Sequence, residues 1–104
     1  MTEQWQQVAS ADDIAEGDTL RVEIAEQALC LYRLDGVLYA TQDLCTHGKA
    51  SLADGLIVEG GLIECPLHEG TFDIRTGAAV GAPCKLALSC FPVREEGQDV
   101  LVTL

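Results

Sequence analysis

The sequence predicts an all-β protein, a small antiparallel β-sandwich or partly open barrel, with a subdomain of two loops inserted into it. Three observations carry this. No stretch of the 104 residues sustains a helical period. Short apolar runs, several with strand-like alternation, recur between turn residues. Both histidines follow closely behind cysteines, in text rich in glycine, which places them on loops between strands.

The elements follow in order. Ser10-Ala11-Asp12-Asp13 reads as a capping-box start for one helical turn through Ile14, ended by Gly17. Trp5 and Val8 before it are expected to anchor an edge strand to the core. From Thr19 the period changes: LRVEI alternates apolar and charged residues, as a half-buried strand does. ALCLYRL and VLYAT follow, joined at Asp35-Gly36, a dipeptide that favours a primed two-residue hairpin. That hairpin delivers the chain to Cys45. Gly55, Gly60 and Gly61 then mark turns around two short strands, LIV and LIE. TFDIR reads as a further strand closed by a turn at Thr76-Gly77. LSCFPVR and VLVTL form a last hairpin around EEGQD.

The chemistry lies between residues 43 and 73. Cys45-Thr46-His47 gives C-x-H; after seventeen intervening residues Cys65-Pro66-Leu67-His68 gives C-x-x-H. Thiolate and imidazole together suit zinc or an iron–sulfur centre. A zinc finger usually groups its cysteines in one half-site and its histidines in the other, with a helix following. Here each half-site has one of each, set among glycine and proline. That symmetry fits a two-iron cluster whose cysteines hold one iron and whose histidines hold the other. Gly48 and Gly70 would let backbone approach the cluster or adopt positive φ, and Pro66 would stiffen the second loop.

CTHG and CPLHEGTFD resemble the two cluster-binding loops of the Rieske family. The flanking LYATQDLCTHG and IECPLHEGTFDIRTG are similar to the small ferredoxins of bacterial aromatic-ring-hydroxylating dioxygenase systems, and the likeness covers nearly the whole chain. The resemblance implies a Rieske fold in one domain, 1–104, with a cluster-binding part at about 43–73. It implies one Rieske-type 2Fe-2S cluster, with Cys45 and Cys65 on the buried iron and His47 and His68 on the outer one. The implied role is that of a low-potential carrier and not an enzyme. Single electrons would pass from an NAD(P)H-dependent flavoprotein reductase to the terminal oxygenase, with Lys49 and Glu69 as candidate contacts. A monomer is expected.

Departures from the respiratory Rieske proteins bear on the potential. Their extra cysteine in each loop, which forms a disulfide, aligns here with Ala50 and Leu67. Their serine and tyrosine donors to the cluster align with Gly70 and Phe72, which cannot donate. Fewer donors stabilise the reduced state less, so the midpoint is expected near the low end of the range, about −150 mV.

Rival roles fare worse. An oxygenase would need a second iron held by two more histidines and a carboxylate, and both histidines are used. A Rieske-like module without a cluster, as in the small subunits of nitrite reductases, would not retain four ligands. A structural zinc domain remains separable by metal analysis.

The 6 basic against 17 acidic residues leave a net charge of −11. This argues against nucleic acid and anionic membrane as partners, and allows steering towards basic surfaces. No apolar run nears a membrane span, and MTEQWQQVASADD has no signal-peptide pattern, so a cytoplasmic protein is expected. Beyond the two ligand cysteines remain Cys30, Cys84 and Cys90. A Cys84–Cys90 disulfide is conceivable, but reduced thiols are expected in that compartment. Cys84 follows the turn Gly81-Ala82-Pro83, which could pack near the cluster, and is not assigned as a ligand.

Overall fold

The computed structural model describes residues 4–46, 48–67, 70–82 and 84–104. The expected ligands His47 and His68, the candidate contact Glu69, and Pro83 lie outside the described residues.

Among the described residues, eleven strands form three antiparallel sheets. In chain order they are β1 (Gln6–Ser10), β2 (Thr19–Ile24), β3 (Gln27–Leu34), β4 (Val37–Gln42), β5 (Leu56–Val58), β6 (Leu62–Glu64), β7 (Thr71–Asp73), β8 (Ala79–Gly81), β9 (Cys90–Phe91), β10 (Val93–Glu96) and β11 (Asp99–Val102). The sheet orders are β1-β11-β10, β2-β3-β4-β9 and β5-β6-β7-β8. The architecture is all-β and unclosed, as expected.

The middle sheet serves two cores. Because strand side chains alternate faces, Leu29 and Leu31 of β3 point into one apolar cluster with Ile14, Leu38, Val100 and Val102. Cys30, Tyr32 and Leu34 point into the other, with Leu52, Ile63, Phe72 and Ile74. In the first core, Leu20, Leu31, Ala40 and Phe91 pair in register, one from each strand of the sheet. Ile57, Ile63, Phe72 and Ala79 do the same in the third sheet, against the second core. Fully burying Phe72 alone contributes about 1.5–3 kcal/mol.

The hairpin at Asp35-Gly36 has φ of 53° and 79°, the primed turn expected. Glu16 fixes it by accepting from the Asp35 and Gly36 amides at 2.7 and 2.8 Å.

Several expectations needed correction. The turn after Ser10 is a 3-10 turn over Ala11–Asp13, and Gly17 lies beyond its end. Its Asp13 carboxylate accepts from the Ser10 amide at 3.0 Å. Trp5 lies just outside β1, half-buried under the Arg94 guanidinium at 4.7 Å, while Val8 packs on the core. LSCFPVR is not one strand: Pro92, which has no N–H to donate, separates Cys90–Phe91, paired with β4, from Val93–Glu96, paired with β11. Within EEGQD only Gly97 and Gln98 form the turn. β8 had no counterpart in the sequence reading.

Candidate metal centre

Cys45 and Cys65 lie at the ends of different hairpins and come together at the edge of the second core. Cys45 follows β4 by three residues. Its loop is closed by backbone bonds, from the Cys45 amide to the Ala50 carbonyl at 3.0 Å and from the Leu52 amide to the Asp43 carbonyl at 2.8 Å. Cys65 directly follows β6, and its amide donates to the Gly70 carbonyl at 2.7 Å, just ahead of β7. The second loop is therefore the tip of the β6–β7 hairpin, whose pairing Glu64↔Thr71 sets its base.

Asp43 is buried, and its carboxylate has two partners. One oxygen accepts from the Ala53 amide at 3.0 Å; the other lies 3.4 Å from Arg21 Nε. The Asp43 amide in turn donates to the Ala28 carbonyl at 3.0 Å. The first loop is thereby fastened to β3, to its own far end and to β2. A third segment, residues 82–89, joins it: the Thr46 hydroxyl donates to the Leu86 carbonyl at 2.7 Å. Gln42 accepts from the Ser89 amide at 2.8 Å and donates to the Leu44 carbonyl at 2.7 Å. A Cβ on Gly48 would sit 3.3 Å from Leu67 Cδ1, so the loops approach closely there without positive φ.

The donor set fits a thiolate-held iron pair. Cys45 and Cys65 are 3% and 0% exposed and belong to the same buried cluster. Burial and the adjacent Cys45 raise the pKa of the Cys65 thiol. Binding a metal there must therefore expel the Cys65 proton. Cys84 is drawn to the same place, its thiol pushed up to about 11 by burial and by Cys45. Among the described residues no three Cys, Asp or Glu side chains are arranged to hold a metal ion. Cys84 and Cys90 form no disulfide: Cys84 is buried beside the ligand pair, and Cys90 is exposed.

The sequence reading found the two cysteines through their spacing and missed the rest of the surround. Asp43 began the stretch without an assigned role, since nothing local marks a carboxylate that will be buried. The exposure of Leu44, Leu67 and Leu86, at 56%, 39% and 68%, was also not foreseen. Leucines at loop tips read as ordinary text until the fold brings the loops together.

A buried pair of thiols presented by two facing loops suits a loop-held metal cluster. Residues 4–92 match the Rieske [2Fe-2S] domain. The chain is 46% identical over 104 residues to the ferredoxin component of the naphthalene 1,2-dioxygenase system of Pseudomonas aeruginosa, covering 100% of this chain and 99% of that protein. The ferredoxin of carbazole 1,9a-dioxygenase from Nocardioides aromaticivorans IC177 matches with a TM-score of 0.90 at 33% identity, over 95% of this chain and 96% of that one. A chain in the complex of reduced oxygenase and oxidised ferredoxin of carbazole 1,9a-dioxygenase matches with a TM-score of 0.87 at 39% identity, over 95% and 92%. The chain belongs to the Rieske [2Fe-2S] domain family, and its cofactor is one Rieske-type 2Fe-2S cluster.

Proposed function

We propose that this protein is the ferredoxin of an aromatic-ring-hydroxylating dioxygenase system. It accepts single electrons from an NAD(P)H-dependent flavoprotein reductase and delivers them to a terminal oxygenase. It is an electron-transfer component and not itself the catalyst. The observation that carries this is the juxtaposition of buried Cys45 and Cys65 on two braced loops, in a chain related over its full length to such ferredoxins.

In this reading Cys45, His47, Cys65 and His68 hold the cluster, within a single domain over 1–104 whose cluster-binding part is about 43–73. When bound, the cluster supplies a one-electron couple. The chain's own residues bury the thiolates, brace the loops and present a docking surface. Leu44, Leu67 and Leu86 are exposed leucines on the loop segments, the kind of apolar contact suited to the small, short-lived interfaces of electron transfer. Lys49, exposed on the first loop, is a further candidate contact. No helix among the described residues is long and apolar enough to cross a membrane; a cytoplasmic monomer fits the rest of the proposal.

The test is electron paramagnetic resonance of the dithionite-reduced protein, with iron and acid-labile sulfide analysis. A rhombic signal of low average g, lost in His47→Ala and in His68→Ala, is expected. Bound zinc without sulfide, or an unchanged signal in both variants, would overturn the assignment.

A further inference from the structure

The chain carries four arginines and two lysines. Every arginine lies 2.6–3.4 Å from a carboxylate oxygen, as Arg33 does from Glu95. Lys49 and Lys85 are both exposed, and among the described residues neither has an ion-pair partner.

Both lysines stand at the ligand end. Lys49 lies inside the loop closed by the bond from the Cys45 amide to the Ala50 carbonyl. Lys85 lies between Cys84, buried in the same cluster as Cys45 and Cys65, and Leu86, whose carbonyl holds the Thr46 hydroxyl. A hollow of about 380 Å³ opens beside Lys49, lined also by Leu44 and Ser51, and is roomy enough for a carboxylate side chain. In residues 43–46, 48–51, 65–67 and 84–89 the one carboxylate is that of buried Asp43, already set against Arg21. Glu69, outside the described residues, subtracts one charge and leaves the lysines in excess. Acidic side chains gather elsewhere: Glu95, Glu96 and Asp99 lie on β10 and β11, in a different sheet. The molecule measures 37 Å along its longest axis, whereas charges are screened over about 8 Å at physiological ionic strength. A protein docked on the loops therefore feels the two lysines more than the net charge.

We propose that Lys49 and Lys85 form a docking site for an acidic face of the flavoprotein reductase that loads this carrier. The proposal rests on the electron-carrier reading above. One electron gained adds one negative charge at this end of the molecule. An acidic face therefore holds the oxidised carrier more tightly than the reduced one. That order suits the electron donor, which must bind the oxidised form and let the reduced form go. A basic face, favoured by the net charge of −11, would reverse the order and suit the acceptor.

The probes are a flavoprotein reductase and a terminal oxygenase that exchange electrons with the wild type. Reduction by the NAD(P)H-loaded reductase is followed by stopped flow over a range of carrier concentrations and ionic strengths. In the double variant Lys49→Ala with Lys85→Ala the half-saturating concentration should rise by about tenfold at an unchanged limiting rate. Lys49→Arg with Lys85→Arg should match the wild type, because the charge is kept. Added salt should weaken docking of the wild type and no longer weaken that of the alanine variant. Transfer to the oxygenase should suffer less than reduction by the reductase. An unchanged half-saturating concentration overturns the proposal, and so does a loss at the oxygenase as large as that at the reductase. Failure of the wild type to exchange electrons with any such pair would instead sink the electron-carrier reading, so the two failures are distinct.

Discussion

The Asp43 carboxylate accepts from the Ala53 amide at 3.0 Å and so joins the two ends of the loop that carries Cys45. Its second oxygen faces Arg21, a side chain half exposed to solvent. The two bonds are unequal in value. An exposed guanidinium contributes little, whereas a buried amide left unsatisfied costs about 1–3 kcal/mol. Asp43→Ala should therefore lower stability by that amount in urea titrations and hasten bleaching of the cluster. Asp43→Asn keeps an acceptor and should cost less. Arg21→Ala should cost under about 1 kcal/mol. A larger loss for Arg21→Ala than for Asp43→Ala would reverse this assignment.

Replacing Phe72 by Tyr tests the low potential. Phe72 is fully buried beneath the ligand loops, and the resemblance to respiratory Rieske proteins places a tyrosine hydroxyl at that position. One new hydrogen bond of about 1 kcal/mol acting on a single electron corresponds to roughly 40 mV. Protein-film voltammetry should show a rise of that order in Phe72→Tyr. A midpoint that falls or stays fixed would remove donor loss as the cause.

Leu86 offers a test of docking separate from the cluster. Its side chain is 68% exposed, while its carbonyl holds Thr46. Leu86→Glu leaves that carbonyl in place and puts a charge on an exposed apolar position tied to the first loop. Stopped-flow transfer to a terminal oxygenase should slow by about tenfold, equivalent to 1.4 kcal/mol of encounter free energy, while midpoint and spectrum are unaltered. Equal rates for both proteins would place docking elsewhere.

Cys30 gives the fold an alkaline limit. Burial pushes its thiol from the ordinary 9.0 up to about 12. The folded chain therefore holds this proton more tightly than the unfolded chain. The resulting stability is complete below pH 9 and is lost as pH rises towards about 12, a decline on the order of a few kcal/mol. The Tyr32 hydroxyl, also raised by burial, adds a loss of the same sign. Chemical denaturation across this range should show a shallower decline in Cys30→Ala than in the wild type; parallel curves would exclude the thiol as its source.

What was legible in the sequence was local chemistry. Asp35-Gly36 announced its hairpin because few dipeptides suit two consecutive positive φ angles. Cys45 and Cys65 stood out as candidate ligands because paired C-x-H and C-x-x-H spacings rarely arise otherwise, and the fold brings the two together. The β2–β3 turn was less plain: Ala25 and Glu26 hold φ of 51° and 65° without glycine, a strain set by the strands that flank them. β8 escaped notice because three residues with a register shift against β7 leave no periodic trace. The nearness of Cys84 to Cys45 was legible only as a turn, Gly81-Ala82-Pro83, that could pack near the cluster. It depends on a segment thirty-nine residues further along being folded back over the first loop.

The two-faced burial of β3 gives the molecule no internal seam. Leu29 and Leu31 belong to the sandwich, Cys30 and Tyr32 to the floor beneath the ligands, and all four are fully buried. Opening either core exposes the same strand, so the two cores should unfold in one cooperative step, with the β3 amides among the last to exchange with deuterium. For a carrier that gains and loses an electron repeatedly, such a frame confines structural relaxation to the loops. A scaffold that keeps the same shape in both oxidation states would spend little energy on rearrangement at each transfer.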